Sequence, residues 1–310
     1  MDLPRAPYRV ERLGPIIVPD MDTRMGANIN GPSLVRVPDW VANPLGRYYL
    51  YFAHHNGAYI RLAFADNLEG PWATYEPGSL QHAESHFPAE LDSIEPGRIP
   101  AGMVVPIPHI ASPDVHVDDE QRQFRMYYHG ILKDRRQVTR VALSADGIHF
   151  TARNEILGNP YFRGFAHGGW RYGLTMPGVF SRSRDGLSGF EKGATLFTRD
   201  MRHSAVTVDG DTLTVFYTVV GEAPERILVT TIDISGDWLA WKEQPPAVVL
   251  EPETEFEGAD LPLVPSIRGE ITARARQLRD PALYQEGEAL YLLYSMAGES
   301  GIALARLHRA

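Results

Sequence analysis

Residues 279–284 read Arg-Asp-Pro-Ala-Leu-Tyr, and after a turn at Gly287 residues 289–295 read Ala-Leu-Tyr-Leu-Leu-Tyr-Ser. This pattern predicts two short antiparallel strands, with a charged pair at the start of the first strand. Variants of the unit occur at 30–35 with 48–52, at 112–117 with 124–128, at 202–206 with 213–217 and, in degenerate form, at 161–165 with 170–174. Five copies of one small unit favour a radial array. The expected fold is therefore all-β: a five-bladed β-propeller of four-stranded antiparallel blades in a single domain.

The repeated units divide the chain into a lead-in, residues 1–27, and a propeller, residues 28–310. Within the lead-in, Gly-Pro-Ile-Ile-Val-Pro at 14–19 is predicted to add an edge strand to the last blade and close the ring. The expected blades are 28–76, 109–157, 160–198, 201–244 and 278–310. Two insertions, 77–108 and 245–277, exceed the usual length of a blade connection. They either build the rim of a site or form solvated loops.

Composition excludes several classes of protein. The 310 residues are 44% hydrophobic, which is enough for a sizeable core. The formal net charge is −9 and no run of Lys or Arg occurs, so nucleic acid and anionic membrane are not expected partners. A neutral or cationic small ligand remains open. The chain has no cysteine, which excludes disulfides, thiolate metal sites and a Cys nucleophile.

The N-terminal residues predict no signal peptide, because Met-Asp-Leu-Pro-Arg-Ala-Pro at 1–7 contains no apolar core. No apolar run approaches the roughly 18 residues that a membrane span needs. The expected location is cytoplasmic, unless a leader has been removed from the sequence.

Three motifs resemble the five-bladed glycoside hydrolases of family 43 and their relatives in families 32, 62, 68 and 117. They are Pro-Asp-Val at 113–115 before Arg-Met-Tyr-Tyr at 125–128, Arg-Asp-Pro at 279–281, and Asp-Asn-Leu-Glu-Gly-Pro-Trp at 66–72. The resemblance covers most of the chain from about residue 28 onward. It implies a carbohydrate-active enzyme with a small-molecule or oligosaccharide substrate, because these propellers act on furanosides, pyranosides and fructans.

The register of the repeat can be fixed on its proline, which is Pro32, Pro113 and Pro281 in three units. Ser204 and, loosely, Phe162 take its place in the other two. The residues just before this position are Gly31, Ser112, Tyr161, His203 and Asp280.

The resemblance places three catalytic carboxylates in this register, and the chain keeps only one of them. The family's general base, an aspartate before the first-blade proline, corresponds to Gly31, and its general acid, a fourth-blade glutamate, corresponds to His203. Its second-blade aspartate, which tunes the pKa of the acid, is present as Asp114. An imidazolium is a competent proton donor near neutral pH, and some members of family 117 use a histidine in this way.

In a propeller the innermost strands converge on an axial funnel, so residues at their heads approach one another. The predicted catalytic residues are Asp114, Asp280 and His203. The alternation of a strand puts His116 on the same face as Asp114. The predicted substrate-binding residues are Asn30, His54, His116, Arg163, His167, Arg202 and Arg279. No cofactor is required, although His54, His55, His116, His129 and His167 could join His203 around a divalent cation in the funnel.

Each catalytic candidate has a structural alternative. Asp280 could form a buried ion pair with Arg279, Asp114 could bond neighbouring backbone N–H groups, and His203 could be a hydrogen-bonded wall residue.

The missing carboxylate could come from the insertions, as Glu257 with Asp260 or Glu84 with Asp92, although solvated loop charges are the simpler interpretation. Glu225, beside Arg226, is most simply a surface or inter-strand residue.

Two functions are consistent with the sequence. The first is a glycoside hydrolase that uses carboxylate and histidine acid–base catalysis in the axial funnel. The second is a catalytically silent propeller that binds a carbohydrate or a protein partner, since such a module would lack the first-blade aspartate and the fourth-blade glutamate.

Overall fold

A computed structural model describes residues 3–94 and 105–309, and within these ranges twenty strands form five four-stranded antiparallel sheets. Blade 1 contains β2 (Asn30–Arg36), β3 (Tyr48–Ala53), β4 (Tyr59–Ala65) and β5 (Ala73–Gln81), and blade 2 contains β6 (Ile110–Asp118), β7 (Gln123–Ile131), β8 (Gln137–Ser144) and β9 (Thr151–Ala152). Blade 3 contains β10 (Arg163–His167), β11 (Trp170–Thr175), β12 (Val179–Ser183) and β13 (Glu191–Thr195), and blade 4 contains β14 (Met201–Asp209), β15 (Thr212–Val219), β16 (Ile227–Asp233) and β17 (Ala247–Leu250). Blade 5 contains β18 (Arg279–Glu286), β19 (Ala289–Ser295), β20 (Ile302–Arg309) and β1 (Tyr8–Ile17).

Helix is confined to four short 3₁₀ turns in the described part of the chain, at Pro19–Met21, His82–Glu84, Trp238–Ala240 and Glu255–Glu257. The predicted five-bladed all-β propeller is confirmed. None of the helices in the described ranges has the length and apolar character needed to cross a membrane.

The ring is closed by the N-terminal strand. β1 pairs antiparallel with β20, from Tyr8 opposite Arg309 to Ile17 opposite Ile302. The edge strand expected from residues 14–19 is therefore observed, and it begins earlier, at Tyr8. This pairing joins the two ends of the chain in one sheet and covers the backbone edge of β20.

The core lies between the blades, whose sheets pack face to face. Tyr49 and Tyr51 on β3 pack in one cluster with Phe124 and Met126 on β7, and all four are fully buried. The innermost strands are in contact around the axis: β18 contacts β2 and β14, β2 contacts β6, and β10 contacts β14. The alternating apolar residues of each blade thus fix the blades to one another and hold the heads of the inner strands together.

Two blade boundaries differ from the sequence prediction. β5 continues to Gln81 because Ser79 and Leu80 are buried, so the first five residues of the predicted insertion 77–108 belong to blade 1. The insertion predicted at 245–277 begins with β17, whose Val248, Val249 and Leu250 are apolar and buried against blade 4. Residues 95–104 of the first insertion lie outside the described residues.

The five residues that the sequence register aligns share one unusual backbone conformation. Gly31, Ser112, Tyr161, His203 and Asp280 have φ values of 61°, 50°, 58°, 46° and 46°. In blades 1, 2, 4 and 5 this residue lies in a β-bulge, where the pairing of the first two strands shifts register. Left-handed backbone at a non-glycine residue costs free energy, so four such residues at one level of the axis are held there by the surrounding fold.

Candidate functional site

A cavity of about 180 Å³ lies beside the heads of the inner strands, and we call it the axial cavity. Its walls come from blade 1, the head residues of blades 3 and 4, and the second insertion. The lining residues include His55, Asn56, Tyr161, Arg202, His203, Arg268 and Glu270. Pro106, Gln137 and Met176 complete the wall. Residues far apart in sequence therefore converge on one small polar space.

His203 and Asp280 form the central contact beside this cavity. Nε2 of His203 lies 3.5 Å from Oδ1 of Asp280, and both side chains are 3% exposed. Oδ2 of Asp280 accepts a hydrogen bond of 3.1 Å from the Ser295 hydroxyl. The left-handed bulges of β14 and β18 turn these two side chains toward each other across the boundary between blades 4 and 5.

The protonation states of this pair follow from burial. Burial and the nearby Glu299 carboxylate raise the pKa of Asp280 to about 6, against the attraction of Arg279 and Arg202. Burial, reinforced by Arg202 and Arg279, holds the pKa of His203 well below its usual range. At neutral pH His203 is therefore uncharged, and Asp280 takes up a proton near pH 6 far more readily than a solvated aspartate does.

Glu299 is the second buried carboxylate on the axis. It accepts hydrogen bonds from Asn28 (2.7 Å), Asn30 (3.0 Å) and Arg279 (2.8 Å). Nδ1 of His55 lies 3.5 Å from it. Burial opposes its charge, but its contacts with His55, Arg279 and Asn28 lower the pKa of Glu299 to about 2. Glu299 in turn raises the pKa of His55 against burial.

Glu225 is the third buried carboxylate and is fully compensated by two arginines. Arg202 donates to it through Nε at 2.9 Å and Nη2 at 2.5 Å, and Nε of Arg279 lies 3.4 Å away. All three side chains are at most 2% exposed. This network supports the walls of the axial cavity. The guanidinium of Arg202 is already paired with Glu225 within the protein.

A row of aromatic rings runs from blade 2 to His203. His109 contacts His129 with ring centroids 5.8 Å apart, His129 contacts Tyr161 at 4.6 Å, and Tyr161 contacts His203 at 4.9 Å. Nε2 of His109 and Nδ1 of His129 and His203 are buried without a hydrogen-bond partner in the described residues. Burial lowers the pKa of His109 to about 4 and holds the pKa of His129 well below its usual range. The row therefore presents uncharged imidazoles beside the cavity.

Asp114 lies in a different environment, between blades 2 and 3. Its Oδ2 accepts hydrogen bonds from His116 Nε2 at 2.8 Å and from the Gly164 N–H at 2.7 Å. The predicted placement of His116 on the same face as Asp114 is confirmed. Burial opposes the charge of Asp114, but His116, Arg163 and the Gly164 N–H lower its pKa. Asp114 does not line the axial cavity and reaches that region only through Arg163, whose Nη1 is 3.9 Å from Asp114 and whose Nε donates to the Ser204 carbonyl at 2.8 Å.

The structure brings together some of the predicted substrate-binding residues and separates others. Arg202 lines the axial cavity. Asn30 and Arg279 do not line it, and both donate hydrogen bonds to Glu299. His54 accepts a hydrogen bond from the Asn56 N–H, and its neighbour His55 lines the cavity instead. His167 lies at the hairpin end of blade 3, with Nε2 3.5 Å from Asp211.

The expectation that the four insertion carboxylates are solvated loop charges is confirmed for Glu84, Asp92 and Asp260 and is wrong for Glu257. Glu257 is buried but accepts hydrogen bonds from Arg12 and Tyr294, so it anchors β1 to the second insertion. Asp260, Glu84 and Asp92 are exposed or only partly buried, and none of them lines the axial cavity. Glu270 is the insertion carboxylate that does line it, and Asn56 donates to its Oε2 at 2.5 Å.

Further corrections concern Glu225, Glu299 and Arg279. Glu225, expected to be a surface or inter-strand residue, is fully buried. Arg279 pairs with Glu299 and Glu225, so the predicted alternative of a simple Asp280–Arg279 pair is not observed. The sequence patterns do not single out Glu299 or Glu270 as site residues, and they name His55 only as a possible metal ligand in the funnel. Only the position of Glu270 in a long insertion could have drawn attention to it.

No group of three His, Asp or Glu side chains within residues 3–94 and 105–309 is arranged to hold a metal ion. The imidazoles of His54, His116 and His167 are also distributed among separate contacts.

Comparison with solved structures identifies the architecture. A GH43_1 enzyme from Xanthomonas citri superposes with a TM-score of 0.61 at 12% sequence identity, over 96% of this chain and 92% of that chain. CoXyl43, a GH43 β-xylosidase/α-arabinofuranosidase from a compost microbial metagenome solved with xylotriose, gives a TM-score of 0.58 at 10% identity, over 96% and 94% of the two chains. No family model matches the sequence.

The protein is thus a five-bladed propeller of the family 43 glycoside hydrolase type, divergent in sequence, and these likenesses show a shared fold. By sequence, the chain belongs to the same family as the uncharacterized protein R118 of Acanthamoeba polyphaga mimivirus. The two are 34% identical over 308 residues, which cover 90% of this chain and 83% of the viral protein.

Proposed function

We propose that the protein is a glycoside hydrolase whose substrate binds in the axial cavity. The observation that supports this most is the buried His203–Asp280 pair, which places a proton-sharing imidazole in the wall of that cavity. The cavity occupies the head end of the inner strands in a fold that family 43 enzymes also have. Asp280, His203 and Glu270 are the residues that we assign to the reaction.

The proposed step needs an acid and a base. Asp280, protonated near pH 6, passes its proton to Nε2 of His203. Nδ1–H of His203, which is buried without a partner among residues 3–94 and 105–309, protonates the glycosidic oxygen once substrate binding brings the two atoms into contact. The bond from the anomeric carbon to that oxygen breaks, and a water attacks the carbon as Glu270 takes a proton from the water. The products are a sugar with a free anomeric hydroxyl group and the alcohol of the leaving group. Asp280 ends as a carboxylate and Glu270 as an acid, and proton exchange restores both. The 3.5 Å separation of His203 and Asp280 is compatible with this role, because such contacts often tighten when substrate binds.

Hydrolysis of 4-nitrophenyl xylosides and arabinofuranosides, and of xylotriose, tests the proposal. These probes are chosen because one similar structure contains xylotriose. We expect His203→Asn and Glu270→Gln to lose turnover by about 10²–10⁴-fold, the usual contribution of an acid or base. His308→Asn changes a comparable imidazole–carboxylate pair on β20, with Glu11 at 2.7 Å, and should keep wild-type turnover. Wild-type rates in both site variants would overturn the assignment.

A silent carbohydrate-binding propeller is the second candidate. It is favoured by the compensation of Glu225 and Glu299 by arginine and by the absence of a side chain at Gly31. Calorimetry with xylotriose separates the two candidates. Binding of xylotriose with no hydrolysis of xylotriose or of the aryl glycosides would favour the silent module. Hydrolysis that is abolished in His203→Asn would favour the enzyme.

A further inference from the structure

A second cavity lies at the opposite end of the inner strands, between blades 2 and 3, and we call it the hairpin cavity. It has a volume of about 360 Å³, within the range of small-molecule sites. Its lining includes Asp118, where β6 meets β7 at the hairpin, whereas the bulge of β6 lies at Ser112. The two cavities share no lining residue, and four residues of strand, or about 13 Å, separate Ser112 from His116, so the hairpin cavity is distinct from the axial cavity.

The inner wall of the hairpin cavity carries an imidazole oriented by a buried carboxylate. His116 lines the cavity with its side chain 42% exposed, and its Nε2 donates to Asp114, which is 15% exposed. In the described ranges this ring makes no second hydrogen bond, so Nδ1 is the nitrogen left to meet a ligand. A carboxylate that fixes one nitrogen of an imidazole sets the tautomer and aims the other nitrogen.

The space in front of His116 is maintained by a glycine. A Cβ added at Gly164 would stand 3.0 Å from His116 Nε2 and 3.0 Å from the Tyr127 ring. The Gly164 N–H meanwhile donates to Asp114 at 2.7 Å. The missing side chain lets β10 approach closely enough to support the Asp114–His116 pair without covering it.

The remaining walls carry charges of both signs. Asp118, Asp119 and Glu120 lie in the hairpin of blade 2, and Arg125 and Arg171 come from β7 and β11. Arg125 is buried, donates to the Asp185 carbonyl at 2.9 Å and stands 3.6 Å from Asp118, beyond hydrogen-bond distance. Such a mixture favours neither a bare anion nor a bare cation. Hydroxyl groups, which both donate and accept, satisfy carboxylates, guanidinium groups and the free imidazole nitrogen together.

We propose that the hairpin cavity is a second ligand site, specific for a neutral polyhydroxylated molecule of about the size of one sugar unit, with His116 accepting a ligand hydroxyl. Phe165 and Tyr172, which also line the cavity, supply apolar surface for the carbon face of such a ligand. The site does not depend on the hydrolytic reaction at the axial cavity.

The test follows the His116 imidazole resonances by NMR during titration of histidine-labelled protein with D-xylose, D-glucose or myo-inositol. We expect at least one of these probes to shift the His116 signals in the wild type and equally in His203→Asn. Arg171→Ala, at an exposed position of the rim, should weaken that apparent affinity about fivefold, as the loss of one hydrogen bond would. His116→Gln should abolish the corresponding saturation-transfer signal of the ligand, and His308→Asn should leave it intact.

Three results would overturn the proposal. The first is an unmoved His116 resonance with all three neutral probes up to their solubility limits. The second is a shift produced by inorganic phosphate in competition with the sugars, which would indicate an anion site. The third is a shift of His116 that disappears in His203→Asn, because the ligand would then be bound at the axial cavity. An unchanged His116 shift in His203→Asn would support the second site. This holds whether or not the wild type hydrolyses glycosides at the axial cavity.

Discussion

Nε2 of His203 and Oδ1 of Asp280 lie 3.5 Å apart across the boundary between blades 4 and 5. Both residues occupy the same position of the repeat, and both have left-handed backbone with φ of 46°. The repeat therefore uses one bulge in each of two neighbouring blades to place an acid against an imidazole on the axis. This contact gives the structure its clearest pH-dependent feature.

The first prediction concerns the pH dependence of turnover. Because burial and Glu299 raise the pKa of Asp280 to about 6, its protonated form is lost as the pH rises through 6. If this proton is used, kcat/KM for an aryl glycoside should fall above about pH 6. Asp280→Asn should lose most of the turnover at every pH. An unchanged pH–rate profile in this variant would exclude Asp280 as the source of the proton.

The raised pKa of Asp280 also predicts how the stability of the fold depends on pH. A carboxyl group whose folded pKa is raised binds its proton more tightly in the folded state, so stability declines as the pH rises from the unfolded pKa, about 4, to about 6. Relative to Asp280→Asn, the wild type should therefore lose unfolding free energy over this window. Urea denaturation at pH 4 and pH 7 measures it. A larger relative stability of the wild type at pH 7 than at pH 4 would contradict the proposed ionisation.

The second prediction concerns the buried network behind the cavity. Glu225→Gln leaves Arg202 and Arg279 without the charge that compensates them in a fully buried place. We expect a loss of about 3–5 kcal/mol in unfolding free energy. Glu155→Gln is the matched control, because Glu155 pairs with Arg153 at 2.6 Å with both side chains about 40% exposed. The loss in this variant should be much smaller, because solvent screens an exposed pair, and equal losses would mean that the axial network stabilises the fold no more than a surface pair does.

The third prediction concerns acid sensitivity. Burial keeps the pKa of His129 well below its usual range, so the unfolded chain binds a proton at about pH 6.5 that the folded chain does not bind. Stability is then complete above this pH and declines as the pH falls, by at most about 1.4 kcal/mol per pH unit for one histidine. His129→Gln should reduce that slope between about pH 6.5 and 4.5, whatever it does to stability at neutral pH. An unchanged slope in His129→Gln would contradict a neutral, buried His129.

The fold could be predicted from the sequence because its signal is local and repeated. Five copies of a strand pair are visible in the letters, and the proline register identifies the five residues that share left-handed backbone. Less of the candidate site could be predicted from the sequence. His203 and Asp280 can be found because they belong to the repeat, whereas Glu299, Glu270 and His55 occupy turns and insertions that no repeat aligns.

Asp114 shows a second reason for the difference. Its place in the repeat is correct, but its side chain follows the bulge and faces His116 and Gly164 in the blade interface. The register of the repeat specifies which residues are equivalent along the chain. It does not specify which neighbouring residues a side chain will contact. That choice depends on Arg163 and Gly164 of the next blade, which only the folded structure brings into contact.

The last prediction concerns Gly31, the one residue of the five aligned positions without a side chain. Its φ of 61° favours glycine, and a Cβ there would stand 3.2 Å from the Ser112 Cα. Gly189 has φ of 60° and nothing within 4 Å of the place that a Cβ would occupy, so Gly189→Ala measures the backbone cost alone, about 1–2 kcal/mol. Gly31→Ala should cost roughly 1 kcal/mol more, because the Ser112 backbone must move. If urea denaturation gives equal losses of unfolding free energy for Gly31→Ala and Gly189→Ala, the backbones of blades 1 and 2 move apart at no measurable energetic cost.

Gly31→Asp extends this comparison to activity. The four equivalent residues carry side chains at φ between 46° and 58°, and aspartate tolerates left-handed backbone better than most residues do. We therefore expect Gly31→Asp to fold and to be no less stable than Gly31→Ala. It would add a carboxylate at the repeat position whose equivalents in blades 3 and 4, Tyr161 and His203, line the axial cavity. If hydrolysis is limited by the absence of a carboxylate base at this position, kcat for aryl glycosides should rise in Gly31→Asp and not in Gly31→Asn. Equal rates in the two variants would show that Glu270 or another group already meets that need.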